Sequence, residues 1–466
     1  MTLEARIRDG RMTGFQLMTV GICLLATLSD GYDIIAISLA GPALSEEWGI
    51  DPVRFGYLGS AAIAGMVVGA VGVAPFADRF GRRMLSVAGQ ALVTLGMALS
   101  WVAPGYELML AGRFVAGVGI GTLTAVMGVL VAEYSTRRWH GFMMAMFSTG
   151  LGLGGFLGGL IGMRLIPAYG WQSLFGVGAL INAVILVLCA TLLPESIQFL
   201  ASRRGAGGLA RLNRLLARMG REPVTELAGE AWGAAAAERA STWQTARSML
   251  SRGLVVVTVL LAVGYCLLNA TLYVNIIWTP QLITGATGDD ALGLTFGTLA
   301  PLGGAIGGLL YALVSFRVAS HPLTVAALGL GVLGAGLLGL TLLTGDTALA
   351  VPLLMSVGFG AAIAGYYALI PAAYPTQIRS SAFGLHVGLG RLAAAFGPTA
   401  TGYLVAAHWS ASGIFLAIAA ALAVGLVALV PLRGAVGRGT DDADDAAPAP
   451  SAVATTPGIP TERSTP

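Results

Sequence analysis

Residues 15–43 read FQLMTVGICLLATLSDGYDIIAISLAGPA and place Asp30 and Asp33 inside one long apolar run. The part before them is too short to cross a bilayer alone, because a spanning helix needs about 20 apolar residues. We therefore predict one helix with both carboxyl groups on the same face. A charge near the centre of such a helix costs about 3 kcal/mol and usually marks an interior, functional position. The alternative is a helix that ends at Leu28 and leaves the aspartates in a loop.

The whole chain is apolar, with 56% hydrophobic and 11% charged residues and a mean hydropathy of +0.80. Soluble domains carry about 25% charged residues, so we predict an integral membrane protein. Its apolar runs are too long for the strands of an outer-membrane barrel. The three cysteines have no metal or disulfide spacing, and a net charge of +3 does not indicate nucleic-acid binding. No Walker loop, metal site or nucleophile constellation is present, so we expect neither an enzyme nor a cofactor.

Twelve runs are long enough to form spanning helices, which predicts an all-α integral membrane fold. They cover approximately 15–40, 55–77, 84–102, 107–131, 141–164, 171–193, 253–279, 291–315, 322–343, 348–371, 382–406 and 409–431. The pattern indicates two six-helix pseudo-symmetric halves, 15–193 and 253–431, joined by an Arg-rich cytoplasmic linker at 194–252. The N-terminus, 1–14, is polar, and the tail, 432–466, has a composition typical of disorder.

Arginines follow every second span, whereas the loops between carry mostly acidic residues. Cytoplasmic loops are enriched in Arg and Lys, so we expect both termini in the cytoplasm.

The loop after the second span, residues 74–83, reads APFADRFGRR. It resembles the G-x-L-A-D-R-x-G-R-R loop of the major facilitator superfamily, with Ala74 in place of the first Gly and Phe76 in place of Leu. The resemblance implies a gate in which charged groups join neighbouring helix ends in one conformation and release them in another. The alternative is a cluster of positive charge that only sets topology. The predicted gating residues are Asp78, Arg79, Gly81, Arg82 and Arg83, with Glu133 and Glu195 as their partners.

Arg113 lies about two turns into the fourth span, in an R-x-x-x-G-x-G pattern that also resembles the superfamily. Asp33 lies at a similar depth, so the two can meet and lower the cost of burying each other. We predict that Asp30, Asp33 and Arg113 couple transport to protons. A static structural ion pair is the alternative.

The second half supplies polar and aromatic groups at membrane depth. Arg391 is near the middle of the eleventh span and suits an anionic carboxylate, while Tyr and Trp suit an aromatic ring. The alternatives are that Arg391 pairs with a carboxylate of the protein and that the aromatic residues belong to the core or to an interface belt. The predicted substrate-binding residues are Arg391, Tyr265, Asn269, Tyr273, Asn275, Trp278, Tyr366, Tyr367 and His386.

The Asp-Gly-Tyr-Asp of the first span, the Glu133 and Glu195 segments and the Gly390–Arg391 region together resemble the aromatic acid:proton symporter branch of that superfamily. The resemblance implies the major facilitator fold and proton-coupled uptake of a benzoate-like acid across a bacterial inner membrane. It implies no cofactor, a small aromatic carboxylate and protons as partners, and a monomer in the bilayer. Alternatives are a carrier or exporter of another organic anion or a sugar, and a membrane sensor without transport.

Overall fold

The computed structural model of the chain describes Ile7 and residues 9–202, 206–224, 254–344, 350–375 and 378–434. These residues form helices and no strand, which confirms the all-α class. The twelve long helices are α1 Gly14–Trp48, α2 Pro52–Phe80, α3 Arg82–Trp101, α4 Tyr106–Tyr134, α5 His140–Tyr169, α6 Gln172–Thr191, α7 Val255–Thr287, α8 Asp290–Val314, α9 Ser320–Thr344, α10 Ala350–Ala372, α11 Arg379–Ala406 and α12 Ala411–Leu429. Eleven of them are long and apolar enough to cross a membrane, and α11 falls short because His386 and Arg391 lower its hydropathy.

Helix α1 is continuous through both aspartates. It begins with a capping box, in which the Thr13 hydroxyl accepts from the Gln16 N–H and the Gln16 side chain accepts from the Thr13 N–H. It ends 35 residues later at Gly49, whose φ of 59° stops the helix in the left-handed conformation. Asp30 and Asp33 therefore lie within a helix, and the alternative of a loop after Leu28 does not hold.

The two ends of the bundle differ, and we name each after one residue. The Arg82 face holds the start of α1, the loop between α2 and α3 and the end of α4, where Arg82 contacts Glu133. The Trp278 face is the opposite end, where α1 and α7 finish.

Glycines let helices of the first half approach to backbone contact. A Cβ on Gly31 of α1 would collide with the Leu151 carbonyl of α5, and a Cβ on Gly154 of α5 would collide with the Leu28 carbonyl of α1. Small residues at such crossings are typical of packing between spanning helices. This crossing fixes the depth at which the aspartates of α1 sit.

Hydrogen bonds join the two halves at the Trp278 face. Ser38 donates to the Ile276 carbonyl at 2.6 Å, and Gln281 donates to the Ser45 hydroxyl at 3.0 Å. Thr399 of α11 donates to the Ser60 hydroxyl of α2 at 2.7 Å. Within the described part of the chain, the hydrogen bonds between the halves all lie toward this face. The bundle is therefore closed at the Trp278 face.

The linker continues the first half at the Arg82 face through two short helices, Ile197–Ser202 and Ala206–Arg218. The second of these, the linker helix, buries Leu212 and Leu216 against Ile7 and the ends of α1 and α4. The remainder of the predicted linker, 225–252, and the predicted disordered tail beyond 434 lie outside the described residues.

We expect Gly154→Ala to destabilise the protein by about 1–3 kcal/mol or more, as overpacking of a close contact does, because the opposing atom is a backbone carbonyl that cannot rotate away. The measurement is the thermal unfolding midpoint of the purified protein in detergent. Gly141→Ala in the same helix is the matched control, since no atom lies within 4 Å of its added Cβ. Equal midpoints for the two variants would contradict this account of the α1–α5 crossing.

Candidate functional site

Asp33 and Arg113 form an ion pair in the centre of the first half. Arg113 Nη2 lies 3.1 Å from Asp33 Oδ1, and both side chains are 0% exposed. Arg113 Nε donates to the Ser100 hydroxyl at 3.2 Å, and its guanidinium lies 5.1 Å from the centre of the Phe175 ring. A buried pair of this kind needs extra hydrogen bonds to offset the loss of hydration; Arg113 has them, whereas Asp33 Oδ2 is buried without a hydrogen-bond partner. Sequence reasoning proposed that these two residues meet, and the structure brings them together.

Asp30 has no such partner. Its side chain is buried, its Oδ1 accepts no hydrogen bond, and no cation among the described residues lies within ion-pair distance of it. Arg391, on α11 of the other half, lies beyond ion-pair distance of it but near enough to act on it electrostatically. The Nη1 of Arg391 is likewise buried without a hydrogen-bond partner. The structure thus places an unpaired acid and an incompletely paired base on opposite sides of the interface between the halves.

Arg391 lies beside a group of tyrosines. Its neighbour Gly390 packs directly against Tyr265 and Asn269, a contact that a Cβ would block. The Tyr265 ring lies 5.4 Å from the Tyr366 ring and 6.4 Å from the Tyr367 ring, measured between centroids. Aromatic rings and a guanidinium in one place can bind the ring and the carboxylate of the same small molecule.

A cavity of about 200 Å³ opens between the halves, and Tyr367 lines it, whereas Arg391, Tyr265 and Asp30 do not. It is lined by α1, α5, α7, α8 and α10, mostly through small and apolar side chains. For comparison, an apolar cavity of about 150 Å³ is enough for benzene. Its polar lining consists of Ser148, Thr149, Tyr273, Asn275, Ser356 and Tyr367.

Three of these lining residues, Ser148, Thr149 and Ser356, were missed by the sequence analysis. Small hydroxyl residues are common in spanning helices, where they usually bond their own backbone. Ser356 is distinctive because its hydroxyl accepts from the Asn275 amide at 3.4 Å and so joins α10 to α7. The only sign of these residues in the sequence is that each is polar within an apolar span. The sequence of the span does not show which side of the helix faces the cavity.

Six of the nine predicted substrate-binding residues do not line the cavity: Arg391, Tyr265 and Asn269 lie beside it, and Trp278, His386 and Tyr366 lie in other surroundings. The Trp278 indole donates to the Pro398 carbonyl at 2.9 Å and packs on Phe55, so it belongs to the closure of the Trp278 face. His386 is fully buried within the second half, where its ring bonds backbone carbonyls. Tyr366 is 0% exposed and packs against the Tyr265 ring. The prediction for these three is corrected, because helix rotation turns their side chains away from the cavity.

The predicted gating residues form a network of ion pairs and hydrogen bonds at the Arg82 face, which we call the Arg82 network. Arg82 pairs with Glu133 at 2.8 Å and with Asp78 at 3.6 Å, and it also contacts Ser196. Glu133 in turn accepts from the Ile197 N–H at 2.9 Å. This ties the ends of α2, α3 and α4 to the start of the linker.

Glu195 holds the turn between α2 and α3 through the backbone. Its Oε1 accepts from the Arg82 N–H at 2.7 Å and from the Arg83 N–H at 3.1 Å. Gly81 makes this possible, because its φ is +100° and a Cβ would collide with the Glu195 carboxylate. Arg79 lies over the Phe80 ring, 5.4 Å from its centre. All of these contacts join parts of the first half and its linker.

Residues 23–386 match the sequence profile described as Major Facilitator Superfamily. The chain belongs to this superfamily. It is therefore a multi-pass membrane transporter rather than an enzyme, as the sequence predicts.

Relatives within the superfamily are named for aromatic acids. The chain is 29% identical to a gallate transporter from Pseudomonas putida, over 83% of this chain and 85% of that one. It is 28% identical to the 4-hydroxybenzoate transporter PcaK of Pseudomonas aeruginosa, over 94% and 96%. A benzoate transport protein of Acinetobacter baylyi is 27% identical over 92% and 91%.

Solved structures share the fold at low sequence identity. The xylose transporter XylE from E. coli, in an inward open conformation, superposes with a TM-score of 0.69 and 15% identity, covering 90% of this chain and 95% of that one. A bacterial homolog of the human lysosomal transporter Spinster gives a TM-score of 0.65 at 14% identity, covering 93% and 96%. These likenesses support the fold of this superfamily member.

We expect Arg113→Gln to lower stability by about 3–5 kcal/mol, because it leaves Asp33 as a buried, unpaired charge. Arg113→Gln combined with Asp33→Asn removes both charges and is expected to recover much of this loss. The measurement is a double-mutant cycle on thermal unfolding in detergent. The exposed pair Arg54–Asp51, at 3.7 Å, supplies the control cycle and is expected to give less than about 1 kcal/mol. Additive effects at Arg113 and Asp33 would contradict a coupled pair.

Proposed function

We propose that the protein is a proton-coupled symporter that takes up a benzoate-like aromatic carboxylate across a bacterial inner membrane. The observation that carries the proposal is the placement of Asp30 and Arg391 on opposite sides of the interface between the halves, each with a buried polar atom that has no partner. No cofactor is needed, because the proton gradient supplies the energy.

The substrate's carboxylate binds Arg391, and its ring occupies the neighbouring cavity. The free Nη1 of Arg391 can donate to a carboxylate oxygen, a charge-assisted bond that suits guanidinium groups. Tyr273 and Tyr367 line the cavity and can contact the ring of an aromatic substrate. The names of the relatives, for gallate, 4-hydroxybenzoate and benzoate, support the same class of substrate.

Proton and substrate are coupled through the charge of Arg391. Asp30 is buried without an ion-pair partner, so the charged form of its carboxyl group is costly. A bound aromatic carboxylate neutralises Arg391 and thereby favours a proton on Asp30 further. Substrate and proton then occupy the protein together, which is the requirement for symport. Asp33 is paired with Arg113 and serves to position α1 in this scheme.

Transport follows from rocking of the two halves around this site. The halves are joined at the Trp278 face, and the excess of Arg in the loops of the Arg82 face indicates that the latter faces the cytoplasm. The structure then corresponds to a state in which the site is closed toward the outside. The Arg82 network fixes the helix ends of the first half so that it moves as one body.

A carrier for a sugar or another organic anion, or an exporter, is the alternative, and a sensor without transport is a further one. A sugar needs a hydrogen-bond partner for each of several hydroxyls, whereas the cavity is mainly apolar. This difference favours an aromatic substrate over a sugar.

In proteoliposomes, we expect Asp30→Asn to abolish accumulation driven by a pH gradient while leaving exchange of labelled for unlabelled substrate, since the substrate's partner Arg391 is intact. Arg391→Gln should weaken substrate binding about 10–100-fold and reduce both activities, because a hydrogen bond to a charged group contributes about 1.5–3 kcal/mol. Arg317→Gln, at an exposed position, is the control. Unchanged accumulation in Asp30→Asn would show that the proton binds elsewhere.

A competition assay identifies the substrate class. We expect uptake of labelled 4-hydroxybenzoate to be inhibited by benzoate, gallate and related ring acids, because they share the carboxylate and the planar ring. Benzamide, which keeps the ring but lacks the charge, and xylose should leave uptake unchanged. Inhibition by xylose but not by benzoate would overturn the assignment in favour of a sugar carrier.

A further inference from the structure

A second cavity lies at the Arg82 face, away from the interface between the halves. We call it the linker groove, and it is about 770 Å³ in volume. It runs between the ends of α2 and α6 and the linker helix. The residues that matter here are Phe80, Arg83, Leu192, Arg211, Arg214 and Arg218.

The linker helix gives the groove its positive charge. Arg211, Arg214 and Arg218 are spaced three and four residues apart, so they share one face of the helix. All three are exposed, whereas Leu212 and Leu216 on the other side are buried. No ion pair joins any of these arginines to a carboxylate within the part of the chain that the structure describes. Arg218 lies over the Phe15 ring, 5.9 Å from its centre, and the charges of all three arginines are available to an anionic ligand.

Glu195 is the one acid among the described residues that line the groove, and it already accepts hydrogen bonds. Glu195 Oε1 accepts from the N–H groups of Arg82, Arg83 and Ser196, at 2.7, 3.1 and 2.8 Å. The Arg83 guanidinium donates to the Ala190 carbonyl at 2.6 Å and lines the same groove. Among the described residues, four arginines and one glutamate line the groove, so its net charge is positive.

The other wall of the groove is apolar and belongs to helices that span the membrane. Phe80 ends α2 and is 46% exposed, and Leu192 follows α6 and is 44% exposed. A site with guanidinium groups on one wall and exposed apolar side chains at helix ends on the other suits an anionic amphiphile. Basic pockets next to spanning helices are known to bind the head groups of anionic lipids.

We propose that the linker groove binds a phosphate group, supplied by the head group of an anionic membrane phospholipid. The phosphate contacts Arg83 together with the arginines of the linker helix, and the acyl chains lie along the exposed ends of α2 and α6. The lipid thereby ties the linker helix to the turn that Glu195 and Gly81 hold. This inference does not depend on the identity of the transported substrate.

The test compares Arg211→Gln/Arg214→Gln/Arg218→Gln with a control of equal charge loss, Arg137→Gln/Arg138→Gln/Arg317→Gln. All six positions are exposed and the control positions lie outside the groove, so both proteins are expected to fold. Each purified protein in neutral detergent is titrated with phosphatidylglycerol, phosphatidylcholine or inorganic phosphate. The readouts are the thermal unfolding midpoint and the number of bound lipids by native mass spectrometry.

We expect phosphatidylglycerol, but not phosphatidylcholine, to bind and stabilise the unaltered protein and the control. The groove variant should bind it at least about tenfold more weakly, because three of the four arginines that line the groove have lost their charge. Equal stabilisation by inorganic phosphate, lost in the groove variant, would support the phosphate site with a soluble source instead of a lipid. Equal binding of both lipids, or equal loss in both variants, would overturn the proposal.

Discussion

The ion pair between Asp33 and Arg113 is the constraint on which the first half depends. Neither charge has access to water, and removal of either one leaves the other unpaired in an apolar interior. The pair joins α1 to α4 and fixes the rotation of α1, which in turn decides where Asp30 points. Since Arg113 is paired with Asp33, the buried cation that remains near Asp30 is Arg391 of the other half. An interaction inside one half thus makes the two halves interdependent.

Close helix packing and directional bonds have different roles in this bundle. Inside the first half, glycines such as Gly31 and Gly154 bring α1 and α5 to backbone contact, so that these helices move together. Between the halves, hydrogen bonds such as that from Ser38 to Ile276 are concentrated at the Trp278 face. A tightly packed half and an interface joined mainly at one end are what rigid-body rocking requires. The cavity lies between these two regions.

The Arg82 network and the linker groove share one structural element, the turn at Gly81. Glu195 holds the turn from one side through backbone N–H groups, and Arg83 leads from it into the groove. The positive φ of Gly81 lets the carboxylate approach that closely. A charge that enters the groove therefore acts next to the residues that hold the ends of α2 and α3. The predicted gating residues and the proposed lipid site are therefore adjacent at this corner of the molecule.

The sequence by itself determined the twelve helices, because hydropathy and length follow from composition along the chain, and it indicated the depths of Asp33 and Arg113 because depth is a count of residues. It did not determine direction around each helix axis. For this reason the sequence predicts a substrate site that includes Trp278 and His386. In the structure, Trp278 helps to close the Trp278 face, and His386 lies in the core of the second half. Only the tertiary structure brought Asp30 toward Arg391 and Ser356 toward Asn275. These proximities depend on the rotation and tilt of helices that are far apart in sequence. Packing between the helices sets that rotation and tilt.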